Sequence, residues 1–243
     1  MNNLRLIAVA SALTLGLALG TAHASFDRNL TPGELALMPD FCQDVQTVNG
    51  WEQGVRESPR APTWVSKMGR SFWDMHHYCW ARVAVHRSQA VGLHQNRRDH
   101  LVESAIDDMQ YVVRRAPATM VLLPEIYYFM GDYFKLLRRY GEASESYKKS
   151  RELKPDYWPA YAGLADLMLL SGQRKDAKAV LEQGLAVLPD EVALKSRLDR
   201  LNGSAQPAAA AGGAKKSRPA RSAATATGAA PAASASAPVV MQK

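Results

Sequence analysis

Residues 124–155, PEIYYFMGDYFKLLRRYGEASESYKKSRELKP, and residues 158–189, WPAYAGLADLMLLSGQRKDAKAVLEQGLAVLP, carry one pattern twice at a constant offset of 34. Tyr127 falls on Tyr161, Met130 on Leu164, Gly131 on Ala165, Phe134 on Met168 and Leu136 on Leu170. Further along, Ala143 falls on Ala177, Tyr147 on Leu181, Ser150 on Gly184 and Pro155 on Pro189. The physical sense is a helix pair. Small residues let two helix backbones approach, large ones fill the gaps between ridges, and proline stops the second helix because it lacks the amide donor. Two such units are marginal alone, since each leaves an apolar face that only a neighbour covers.

These positions resemble the tetratricopeptide-repeat family. Its helix-turn-helix unit has an aromatic and a leucine-like residue before a small one on the first helix, then small, large and small positions on the second, and a closing proline. Tyr127, Met130, Gly131, Phe134, Ala143, Tyr147, Ser150 and Pro155 supply one unit, and Tyr161, Leu164, Ala165, Met168, Ala177, Leu181, Gly184 and Pro189 the next. The aromatic position lacks the family's tryptophan, and Ala165 stands where glycine is usual. Upstream, Ala105, Met109, Val112 and Pro117 repeat the second-helix spacing at an offset of 38, the extra residues lying in 118–123. The first helix of that degenerate unit is expected from about Gly69 to Ser88, followed by a long connection, Gln89 to Arg98, and a second helix from near Asp99. Downstream, Val192, Leu194, Leu198 and Leu201 before Gly203 read as a capping helix. The resemblance implies an all-α, right-handed antiparallel array of helix pairs, a solenoid of about three units plus the cap.

The ends of the chain are of another kind. Arg5 precedes an apolar run from Leu6 to about Leu19 that closes on Ala22-His23-Ala24, the layout of a cleaved secretory signal. A mitochondrial leader would be richer in arginine. No cysteine stands directly after the small residues of the cleavage site, so a lipid anchor there is not expected, and no later run is long enough to span a bilayer. Residues 203–243 contain no acidic or aromatic residue and are dominated by Ala with Pro, Ser, Thr and Gly; they are read as disordered. The chain thus divides into a signal peptide (1–24), an irregular N-terminal segment (25–68), a degenerate repeat-like unit (69–117), two repeat units with a capping helix (118–202) and the tail.

The formal charge of +7 is misleading until located. Without Arg5, Lys215, Lys216, Arg218, Arg221 and Lys243, 24 basic residues face 23 acidic ones. A nearly neutral body argues against a phosphate-binding groove and so against nucleic acid. The Lys215-Lys216-Ser217-Arg218 cluster allows a weak contact with anionic envelope surfaces, against the plainer reading of a passive tail.

In the N-terminal segment Thr31-Pro32-Gly33-Glu34 is a helix start with a capping threonine and a reaching glutamate, cut short by Pro39. Gly50, Gly54, Pro59 and Pro62 then read as loop and extended chain, with Trp51 and Trp64 packing onto the first helical unit. The two cysteines, Cys42 and Cys79, are expected to pair in an oxidising compartment, the alternative being two buried thiols. The segment from Phe72 to Trp80 holds His76, His77 and Cys79. It invites a metal- or cofactor-handling reading, but a second ligand cluster is missing and the disulfide would consume the soft ligand, so packing of the rings is the expectation, with no metal and no cofactor.

No nucleophile with a base, no paired carboxylates in a pocket and no phosphate loop is found, so the chain is not expected to be an enzyme. What the resemblance implies is a groove lined by the first helices: Tyr128, Asp132, Lys135 and Leu136 in one unit, Ala162, Asp166, Leu169 and Leu170 in the next. The residues there do not match the family's lysine and asparagine clamp for a terminal carboxylate. An aromatic, an apolar strip and two carboxylates suit an extended segment with apolar anchors and a basic residue. The competing occupants are the capping helix or the chain's own basic tail. The function expected is that of a periplasmic scaffold or adaptor for a protein or peptide partner in the cell envelope, assembling a machine such as a pilus or secretion system.

Overall fold

A computed structural model describes residues 28–45 and 58–203; the expected signal peptide, Gly50, Trp51, Gly54 and tail residues 204–243 lie outside them. Among the described residues every regular element is helical: α1 (Pro32–Ala36), α2 (Phe41–Asp44), α3 (Ala61–Met68), a 3₁₀ turn (Gly69–Asp74), α4 (Met75–Ser88), α5 (Gln95–Arg115), α6 (Leu123–Leu136), α7 (Tyr140–Leu153), α8 (Trp158–Leu170), α9 (Arg174–Val187) and α10 (Val192–Gly203). Packing is between chain neighbours. α4 pairs with α5, α6 with α7 and α8 with α9, while α10 closes on α8 and α9. First helices also meet across units, α6 with α8 and α8 with α10.

The repeated positions do what their sizes suggest. Tyr147 of α7 is fully buried, and a Cβ built on Gly131 of α6 or on Gly163 of α8 would lie 2.5 or 2.6 Å from its ring. Only hydrogen at those α-carbons leaves room for tyrosine. At the equivalent place in the next unit the large residue is the smaller Leu181 and the small residue is Ala165, which accounts for the departure from glycine. Ser150, fully buried, donates its hydroxyl to the Pro124 carbonyl at 2.6 Å, so that small position also satisfies a polar group at the entry of α6. Pro124 and Pro159 sit in the first turns of α6 and α8, where a missing amide costs nothing.

The structure departs from the sequence expectations at three places. Instead of one helix from Gly69, the chain winds as a 3₁₀ turn to Asp74 and becomes α-helical at Met75; Gly69, at φ 63°, caps the end of α3. The second helix starts at Gln95 rather than Asp99, with His94 as its cap. Arg98 makes this connection compact by donating to the carbonyls of Ser88, Ala90 and Leu93. Finally, Pro62 lies in a helix rather than in loop or extended chain: α3 carries it in its first turn.

The irregular N-terminal segment is fastened at several points. A disulfide joins Cys42 of α2 to Cys79 of α4, Cα to Cα 5.8 Å, across 37 residues, and contributes about 4 kcal/mol on a chain-entropy basis. Asp44 is buried and accepts from Trp64 Nε1 at 2.7 Å and from Ser58 Oγ at 2.5 Å, with Arg60 at 2.9 Å. α1 has both bonds of its capping box between Thr31 and Glu34, and Glu34 is held by Arg87 of α4 at 2.6 and 2.9 Å. No described helix is long and apolar enough to cross a membrane.

Candidate functional site

The first helices α4, α6, α8 and α10 line a cleft of ≈ 960 Å³, with Leu37 and Met38 from the end of α1 at one side. It collects Tyr128, Asp132, Lys135 and Leu136 from α6 and Ala162 and Asp166 from α8. Leu169 and Leu170 are 40 and 65 % exposed and do not line it, although their counterparts one repeat earlier, Lys135 and Leu136, do. The capping helix does not fill the cleft; through Ala193, Arg197 and Arg200 it forms a wall.

The two carboxylates are already engaged. Asp132 Oδ1 accepts from Tyr147 Oη at 2.7 Å and from Lys135 Nζ at 2.7 Å. Burial first, and Asp132 second, push the Tyr128 and Tyr147 hydroxyls well above the ordinary tyrosine range, so both stay protonated donors. Asp132 is therefore a structural acceptor for a buried phenol as well as a cleft residue. Asp166 faces Arg197 Nη2 of α10 at 3.4 Å. An incoming cation would have to displace a resident one at each position.

Side chains that the repeat pattern did not single out change the character of the site. Arg82 and Val85 reach it from α4, Phe129 and Tyr133 from α6, and Tyr157 and Trp158 from the entry of α8. The Arg82 guanidinium lies 3.8 Å over the Phe129 ring and donates from Nη1 to Tyr78 Oη at 2.8 Å; Tyr78 in turn donates to Glu125. α4 belongs to the unit whose first helix has no aligned counterpart, so no offset pointed to Arg82. For Phe129 and Tyr133 the helical spacing of four beside Tyr128 and Asp132 was a usable signal.

The Phe72–Trp80 segment lies elsewhere and packs. Phe72, Met75, Tyr78 and Cys79 are fully buried, His76 Nδ1 meets the Trp73 carbonyl at 2.7 Å, and His77 Nδ1 meets Asp108 Oδ1 at 2.5 Å. His77 stacks on Tyr111 at 3.9 Å, and Arg28 covers the Trp80 ring at 4.2 Å. Burial, then the charge of His77, draws His76 down to about 4. Cys79 is held in the disulfide, and no group of three or more His, Cys, Asp or Glu able to hold a metal is found among the described residues.

Residues 137–198 match the tetratricopeptide repeat family. The human protein O-mannosyl-transferase TMTC1 is 24 % identical over 100 residues, which are 41 % of this chain and 11 % of that protein. Two solved structures resemble part of the chain. The first TPR of Spaghetti (RPAP3), bound to the HSP90 peptide SRMEEVD, has a TM-score of 0.37 and 15 % identity, covering 51 % of this chain and 94 % of that one. The MamA RS-1 ArsTM double mutant has a TM-score of 0.34 and 25 % identity, covering 51 and 68 %. The 34-residue period, the buried small and aromatic positions it aligns and the family match identify residues 137–198 as tetratricopeptide-repeat sequence.

Proposed function

We propose that the protein is an exported scaffold of the bacterial cell envelope that holds an extended segment of a protein partner in its concave cleft, during assembly of a machine such as a pilus or secretion system. The observation that carries the binding role is the cleft of ≈ 960 Å³, walled by first helices of successive units and floored with Tyr128, Phe129 and Trp158. Aromatic rings beside a few polar groups are the composition that anchors a partner segment. Export is supported by Arg5, the apolar run after it and Ala22-His23-Ala24, and by a disulfide of the kind an oxidising compartment permits. The role is one of binding rather than catalysis.

The test uses a photo-crosslinking residue at Leu136, a half-exposed cleft position, and at Lys178, a half-exposed position on α9 outside it. In intact cells a defined adduct is expected from Leu136 and not from Lys178; the same adducts from both, or none from Leu136, would refute the cleft as the binding site. Fractionation should recover the protein in the periplasm with Ser25 at its N-terminus, and a cytoplasmic protein retaining residues 1–24 would refute export.

A further inference from the structure

Two donors in the cleft have unused hydrogen-bonding capacity. Arg82 makes a single hydrogen bond, through Nη1 to Tyr78, whereas a guanidinium carries five N–H donors. Its remaining donors have no protein acceptor among the described residues. Tyr133 is 3 % exposed, and its hydroxyl is buried with no hydrogen-bond partner among the described residues. Both side chains line the cleft. The Tyr133 ring stacks beside Phe129, centroids 6.2 Å apart, and Arg82 lies over that same Phe129, so the phenol and the guanidinium are brought together around one ring.

An orphaned buried hydroxyl and an under-used guanidinium in one cleft call for an acceptor, and a negatively charged one satisfies both. The other charges of the cleft favour the same ligand. Arg197 and Lys135 neutralise Asp166 and Asp132. Behind Arg82, burial raises the Glu125 carboxyl above its ordinary value, against the hydrogen bond from Tyr78 and the charge of Arg82, which weakens the compensation of that cation. We propose that Arg82 and Tyr133 receive one carboxylate of the bound segment, an Asp or Glu side chain next to an apolar residue that packs on Phe129 and Val85. This rests on the reading of the cleft as a partner site, and it reverses the charge that the sequence alone suggests for the partner. Residues 204–243 contain no Asp or Glu, so the chain's own tail does not supply that side chain.

A random dodecapeptide display library, panned on the immobilised full chain, tests the assignment. Selected peptides are then synthesised with the acidic residue kept or changed to its amide, and their affinities are compared. Enrichment of Asp or Glu beside an apolar residue is expected, with the acid binding at least about tenfold tighter than the amide. Tyr133→Phe removes only an oxygen that bonds nothing among the described residues, so it is expected to keep the fold and to cut the acid-over-amide preference several-fold. Arg82→Gln should abolish that preference, and Arg82→Lys should restore part of it. Enrichment of Lys or Arg, or an acid preference unchanged in both Tyr133→Phe and Arg82→Gln, overturns the assignment while leaving the cleft as the site. Failure to enrich any peptide overturns both. Sedimentation of the free chain as a dimer that Arg82→Gln dissociates would make a second copy the occupant and likewise overturn it.

Discussion

Tyr147 shows how a single side chain sets the tolerance of its neighbours. A methyl group at Gly131 would sit 2.5 Å from the ring of a fully buried tyrosine whose hydroxyl is fixed to Asp132. Gly131→Ala should therefore lower stability by about 1–3 kcal/mol, the usual cost of overpacking. Gly141→Ala, where nothing lies within 4 Å of the new carbon, should be neutral or stabilising by up to about 1 kcal/mol through helix propensity. Urea midpoints of the two variants check the contrast. A second residue carries backbone strain. Arg138 has φ 59° in the turn between α6 and α7, and the residue one repeat later, Gly172, has φ 73°. Left-handed backbone costs a side-chain-bearing residue about 1 kcal/mol, so Arg138→Gly is expected to raise the thermal midpoint. An unchanged or lower midpoint contradicts that account.

Among the elements, α1 is held to α4 by charge. The Arg87 hydrogen bond, aided by those of Thr31 and opposed by burial, lowers Glu34 from 4.5 to about 2. A carboxylate with a depressed folded-state pKa adds stability that is complete above its unfolded value, near pH 4.5, and is lost as pH falls toward 2. Because both partners reach solvent, about 2 kcal/mol or less is at stake. The difference in unfolding free energy between the natural protein and Glu34→Gln should be nearly constant from pH 7 to 5 and shrink as pH falls through 2. A difference independent of pH over that interval would show that the pair does not hold the segment electrostatically.

At the scale of the whole molecule, a stack of helix pairs depends on its last helix. Leu194 of α10 is fully buried, its Cδ1 would lie 2.7 Å from a Cβ at Gly184, and Arg174 of α9 donates to the Leu201 carbonyl. Leu194→Ala should cost about 2–5 kcal/mol. Since repeats couple to their neighbours, hydrogen exchange should rise first in α9 and α8 and last in α4 and α5. Uniform acceleration across all helices would instead mean that the array unfolds as one unit.

Period, sizes and stop signals were local information, and for that reason the helix pairs from α6 to α10 were legible in the chain: Tyr127 to Pro155 and Tyr161 to Pro189 repeat because each unit contacts only the units next to it. The capping box of α1 and the cysteine pair were legible for similar reasons, one being a four-residue motif and the other the only two thiols present. The start of α4 and the helix at Ala61–Met68 were not, because a positive φ at Gly69 and a proline that opens rather than breaks a helix depend on where the flanking chain goes. The cleft was half legible. The repeat register supplied Tyr128, Asp132, Lys135, Leu136, Ala162 and Asp166, while Leu169 and Leu170 fall outside. Whether Asp132 and Asp166 were available to a partner depended on Tyr147, Lys135 and Arg197. Arg82 and Tyr133 acquire their meaning only from folding, because an unused donor is defined by which acceptors the packed structure withholds from it.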